Sequence, residues 1–84
     1  MTSYIALIRK DPGTDFGADF PDFPGCISAG LTMEKACAMA AEALAGHIVS
    51  MKEDGDTIPD PASLDIVMAD RGNADATPVL IRAP

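Results

Sequence analysis

Phe20-Pro21-Asp22-Phe23-Pro24-Gly25-Cys26 places two prolines, a glycine and two aromatic rings within seven residues. Each proline fixes its own φ, removes a backbone donor and pushes the residue before it towards extended geometry. Phe20 and Phe23 are therefore expected to be extended, and Gly25 is free to take a positive φ. The stretch reads as a rigid corner between two strands, aiming its rings at fixed points.

Upstream of the corner, Phe16-Gly17-Ala18-Asp19-Phe20 alternates, with Phe16, Ala18 and Phe20 on one face and Asp19 on the other. That is a half-buried strand. Asp11-Pro12-Gly13-Thr14-Asp15 before it is turn chemistry, which makes the strand antiparallel to Tyr4-Ile5-Ala6-Leu7-Ile8. The latter is apolar at every position, as in a strand covered on both faces or facing a subunit interface.

Downstream, Cys26-Ile27-Ser28-Ala29 forms a short third strand closed by Gly30. Thr32 is a good N-cap, Glu34 suits the positive end of a helix dipole, and Lys35 leaves the capping box incomplete. Met33, Ala36, Cys37, Ala40, Leu44, His47, Ile48 and Met51 recur at helical spacing, so one long helix is expected from about Thr32 to Asp54, with Gly55 as its left-handed cap. Ile58-Pro59-Asp60-Pro61 is stiff and extended, Ser63–Met68 fits a single capped helical turn, and Pro78–Arg82 reads as a last strand. The fold class is α+β, with order βββαβ. A right-handed strand–helix–strand crossover would return the fourth strand parallel to the first, giving a mixed sheet ordered 3-2-1-4.

The 84-residue chain is expected to be one domain, 1–84, with a thin core: the apolar share is 48% but includes much alanine and no tryptophan. Thirteen acids against six bases give a net charge of −7, which disfavours nucleic acid as a direct partner. Plain solubility accounts for that charge, and a basic protein partner is the functional alternative. The N-terminus lacks signal-peptide character, and the most apolar run, Ala36–Met51, is interrupted by Glu42 and His47. Two cysteines without a secretory signal point to free thiols in the cytoplasm. His47 is the sole histidine, no C-x-x-C pair occurs, and Asp19 and Asp22 alone do not complete a two-metal site. No catalytic residue, metal or cofactor is expected.

Tyr4–Ile8, the turn to Phe16-Gly17, the Pro-Asp-Phe-Pro-Gly-Cys corner, Ala29–Ala36, Glu42-Ala43-Leu44, Asp54-Gly55 and Pro61-Ala62-Ser63 together resemble the N-terminal domain of HicB-family antitoxins. The resemblance implies a partial ribonuclease-H-like fold without nuclease activity. It also implies a cytoplasmic partner: a small, basic, HicA-type toxin that cleaves mRNA with a histidine. A homo-oligomer is expected as well. Family members carry a C-terminal DNA-binding domain, and this sequence ends before one, so DNA binding would require a domain absent from it. Occlusion of the toxin would use the acidic corner, with Asp15, Asp19 and Asp22 supplying charge and Phe23 an aromatic anchor. The plain alternative for the same residues is solvated loop acids and a core phenylalanine. A residual metal-dependent nuclease and a self-associating module without a toxin are the competing functions.

Overall fold

The computed structural model describes residues 2–84. Strands β1 (Ser3–Arg9), β2 (Phe16–Asp19) and β3 (Ile27–Gly30) form an antiparallel meander; α1 (Met33–Glu53), α2 (Leu64–Ala69), a 3-10 turn (Arg71–Asn73) and β4 (Thr77–Arg82) follow. The sheet order is 3-2-1-4. In the first hairpin Pro12 and Gly13 occupy the central turn positions, Thr14 N–H donates to Asp11 C=O at 3.1 Å, and Gly13 sits at φ +78°. Only glycine takes that conformation freely.

The helix starts and stops where its caps dictate. Thr32 Oγ1 accepts from Lys35 N–H at 3.1 Å. At the other end Asp56 N–H reaches Met51 C=O and Gly55 N–H reaches Lys52 C=O, with Gly55 at φ +75°. That pairing is a Schellman cap, which satisfies carbonyls the helix leaves free. Ala36, Ala40, Leu44 and Ile48, four residues apart, are its buried stripe. They pack on Tyr4, Ala6, Ile8, Ala18, Phe20 and Phe23. Met33, expected on this stripe, is 37% exposed instead.

One expectation is corrected. β4 pairs with β1 antiparallel, Ser3 opposite Arg82 and Ile8 opposite Thr77, so the four-stranded sheet is wholly antiparallel. A parallel return assumed that α1 alone carried the chain back. Instead α1 covers one face, the connection meets the sheet end at Tyr4 and Asp22 through Pro59 C=O and Ala62 N–H, and α2 with the 3-10 turn returns on the other face to Arg9 at the end of β1. β4 therefore begins at the end where β1 finishes. The apolar run of β1 fits this path. Tyr4, Ala6 and Ile8 face α1, while Ile5 and Leu7 pack with Val67 and Ala76 on the α2 side.

Leu44 is fully buried at the centre of the α1–sheet core. Leu44→Ala is expected to destabilise by roughly 2–5 kcal/mol, through lost transfer energy plus the cavity left behind. Urea unfolding measures it; a midpoint near that of the unsubstituted chain would mean the core collapses around the gap.

Candidate protein-interaction surface

The corner is two successive turns. Phe23 N–H donates to Phe20 C=O and Cys26 N–H to Phe23 C=O, both at 3.0 Å, and Gly25 lies at φ +88°. Proline followed by a positive-φ glycine is the signature of a type II turn. The turns separate the side chains by chemistry. Phe20, Phe23 and Cys26 all point into the α1 core, whereas Asp22 stays at the surface of the sheet end.

The expected contact residues are thus not one cluster. Phe23 is 1% exposed and makes edge-to-face contacts with Tyr4 at 4.7 Å, Phe20 at 6.5 Å and His47 at 5.8 Å between ring centroids. It is a core ring and has no free face to offer a partner, so its place as a surface anchor is withdrawn. Asp15 is exposed in the turn before β2. Asp19 pairs with Arg9 at 2.7 Å, and Arg9 also donates to Gly72 C=O and Asn73 Oδ1, both at 2.8 Å. Arg9 thereby ties the 3-10 turn to the top of the sheet. Half-exposed as it is, the ion pair contributes at most about 1 kcal/mol. Asp22 Oδ2 accepts from Ala62 N–H at 3.1 Å, fastening the connection that leads into α2.

Tyr4 anchors the same connection from the other side, its hydroxyl donating to Pro59 C=O at 2.6 Å. Burial, then the neighbouring carboxylates of Asp22 and Asp60, raise the phenol above its ordinary pKa of 10.0. The folded state therefore favours the neutral phenol, so this stabilisation is complete below about pH 10 and is lost as pH rises through the raised value. Tyr4→Phe is expected to cost about 1 kcal/mol at neutral pH, because Pro59 C=O loses its donor. It should also flatten the alkaline decline, which urea midpoints at pH 7 and pH 11 would measure.

Two features of the α2 side were not read from the sequence. An open groove of about 580 Å³ lies between the start of α2 and β4, lined by Ile5, Ala62, Leu64, Pro78 and Leu80 among others. Leu80 is 70% and Leu64 51% exposed at its rims. Beyond the reach of α2, Ile27 on β3 is 71% exposed on the same side of the sheet as Asp19, its register partner. The signal lay in alternation: if Tyr4 and Ile81 face α1, then Ile5 and Leu80 face away from it.

Among the described residues no group of three or more His, Cys, Asp or Glu side chains could hold a metal ion, and no helix is long and apolar enough to cross a membrane. Cys26 and Cys37 are free thiols, and burial pushes the Cys26 pKa up, away from the reactive thiolate.

An antiparallel sheet with one long helix on one face, a short helix on the other and an open apolar groove between the short helix and β4 makes a small α+β domain. A family model described as the HicB-like antitoxin of bacterial toxin–antitoxin systems matches residues 4–83, and the chain belongs to that family. The crystal structure of the Burkholderia pseudomallei antitoxin HicB superposes with a TM-score of 0.89 at 28% identity, covering 98% of this chain and 63% of that one. A chain of the HicA3–HicB3 toxin–antitoxin complex matches with a TM-score of 0.78 at 27% identity, covering 99% of each. An uncharacterized 14.9 kDa protein of Haemophilus phage HP1 is 49% identical over 39 residues, 46% of this chain and 29% of the phage protein. The chain thus spans less than two thirds of the Burkholderia antitoxin and of the phage protein.

Proposed function

We propose that this chain is the toxin-binding part of a type II antitoxin, which silences a small basic HicA-type toxin in the cytoplasm by covering its RNA-binding and catalytic face. The family match over residues 4–83 is the observation that carries this reading. A net charge of −7 supports it, since such a surface complements a basic partner and accelerates encounter with it. The role is non-enzymatic: the chain acts by binding alone. The ribonuclease-H-like kinship implied by the resemblance then applies to the meander and α1, with β4 running antiparallel. Self-association, and DNA binding through a further domain, belong to the whole antitoxin in this reading.

Asp15, Asp19 and Asp22 contribute charge to the encounter, and Phe23 supports their corner from inside. Co-expression with a HicA-type toxin tests the function, a small basic protein with one histidine encoded in a neighbouring reading frame being the one to seek first. Growth arrest should be relieved, and the two proteins should elute as one complex. Unrelieved arrest with no complex would overturn the proposal. Asp15→Lys, which breaks no hydrogen bond made by the Asp15 side chain, should slow association while leaving dissociation nearly unchanged. Surface-plasmon kinetics at about 50 mM salt, where the Debye length is about 14 Å, give the most sensitive reading.

A further inference from the structure

β3 (Ile27–Gly30) is an outer edge of the sheet, and its backbone is open for pairing. Phe20 N–H donates to Cys26 C=O directly across the ladder, which makes theirs a hydrogen-bonded pair. Such pairs alternate along antiparallel strands, so Ser28 and Gly30 bond to β2, whereas Ile27 and Ala29 turn their N–H and C=O outwards. The opposite edge is blunted by its own sequence. Ala83 N–H donates to Thr2 C=O, so Pro78, Leu80 and Arg82 are the outward-facing residues of β4, and Pro78 has no N–H to give. Proline and charge are devices that keep sheet edges apart, and β4 has both. β3 has neither.

The β3 edge is also neutral and apolar. Residues 23–33 hold no charged side chain, the longest such run in a chain of net charge −7, so two copies can meet here without bringing acids together. Ile27 and Leu31 are 71% and 70% exposed. Asp19, opposite Ile27 in the register, is already paired with Arg9. Ser28 is the second mark of a missing strand: its hydroxyl is buried and has no hydrogen-bond partner among the described residues. An antiparallel two-fold pair centred on Ser28 sets that hydroxyl opposite its own copy on one face of the sheet, and a hydroxyl both donates and accepts. In the same register Ile27 exchanges both backbone bonds with Ala29 of the other copy. We propose that β3 is a self-association edge, joining the four-stranded sheets of two copies across Ser28 into one continuous sheet. A basic partner fits worse, because this edge offers it no acid. The proposal does not rest on the antitoxin reading; within that reading, it gives the expected homo-oligomer a surface in this domain.

Four residues a side bury less than the roughly 800 Å² per partner of a standard interface, so the dissociation constant is expected to be on the order of 100 μM. Sedimentation equilibrium of the chain up to about 1 mM reads it. Ile27→Lys should weaken the dimer at least about tenfold, although it lowers the net negative charge of each copy. Leu80→Lys makes the same charge change at an equally exposed position on the other edge and should leave the dimer intact. Ser28→Ala should weaken it by up to about fivefold without lowering the urea midpoint of the monomer. Amide exchange at Ile27 and Ala29 should slow as concentration rises, while the outward-facing amide of Leu80 keeps its rate. A monomer throughout the range, or a dimer unchanged in folded Ile27→Lys, overturns the proposal. A dimer lost only in Leu80→Lys moves the contact to β4 and overturns it too. Protection of Ile27 and Ala29 that requires a different protein would give the edge to that protein and overturn the second copy.

Discussion

Phe23→Ala is expected to destabilise the protein by about 3–5 kcal/mol, the range for removing a fully buried aromatic ring. Phe23 is one of the three largest fully buried side chains and the ring that Tyr4, Phe20 and His47 all contact edge-on. The loss is more than packed area, since each edge-to-face contact contributes roughly 0.5–1.5 kcal/mol beyond burial. A domain of this size has about 5–15 kcal/mol in total, so a large part of its stability rests on one ring. Urea unfolding of Phe23→Ala should show a midpoint lowered accordingly, with the corner loosened and Asp22 no longer held against Ala62 N–H. If the chain is the antitoxin proposed above, toxin affinity should fall in proportion to the unfolded fraction and recover when the variant is stabilised at lower temperature. A near-native midpoint combined with faster toxin dissociation would instead make Phe23 a contact residue.

That outcome separates two readings of one stretch that the sequence left side by side. Alternation along β2 placed Phe20 on the buried side but stopped at the corner, where strand periodicity no longer applies. Two consecutive turns bring Phe23 and Cys26 back to the side of Phe20, three residues apart each time. Proline and glycine spacing predicted a rigid corner, but not which way its second ring would point. The acids were legible as surface residues. Their partners, Arg9 for Asp19 and Ala62 N–H for Asp22, come from elements 10 and 40 residues away in sequence, which no local pattern encodes.

The direction of β4 was missed for a related reason. Handedness rules for a strand–helix–strand unit assume one crossover element. Here the chain inserts α2, six residues long, and a three-residue 3-10 turn as a second pass. Ser63 was recognisable as a cap, and its Oγ accepts from Ile66 N–H at 3.4 Å. The requirement for a second pass was nevertheless written in β1. Five consecutive apolar residues need cover on both faces, and α1 can cover only one. Val67 and Ala76 supply the rest, leaving the groove where that cover ends.

Gly30→Ala should be at least as damaging, for a reason independent of side-chain burial. A Cβ at position 30 would lie 2.4 Å from Ala36 N, 2.6 Å from Lys35 C and 2.9 Å from Ala36 Cα. All three are backbone atoms of the first turns of α1, so no rotamer change relieves the clash. Either β3 or the start of α1 must move, and the Ala36–Ala40 stripe then loses contact with the sheet. Overpacking a yielding core costs about 1–3 kcal/mol, and this unyielding contact is expected to cost about 3 kcal/mol or more. Gly46 is the internal control. It lies within α1 with open space around the position a Cβ would occupy, so Gly46→Ala should stabilise by roughly 0.5–1 kcal/mol through helix propensity and a restricted unfolded state. Urea midpoints should therefore move in opposite directions for the same chemical change. If both rise, the helix can lift from β3 without loss, and close approach at Gly30 does not hold α1 in place. If Gly30→Ala alone falls, the position of α1 over the sheet is set by the missing side chain at the end of β3.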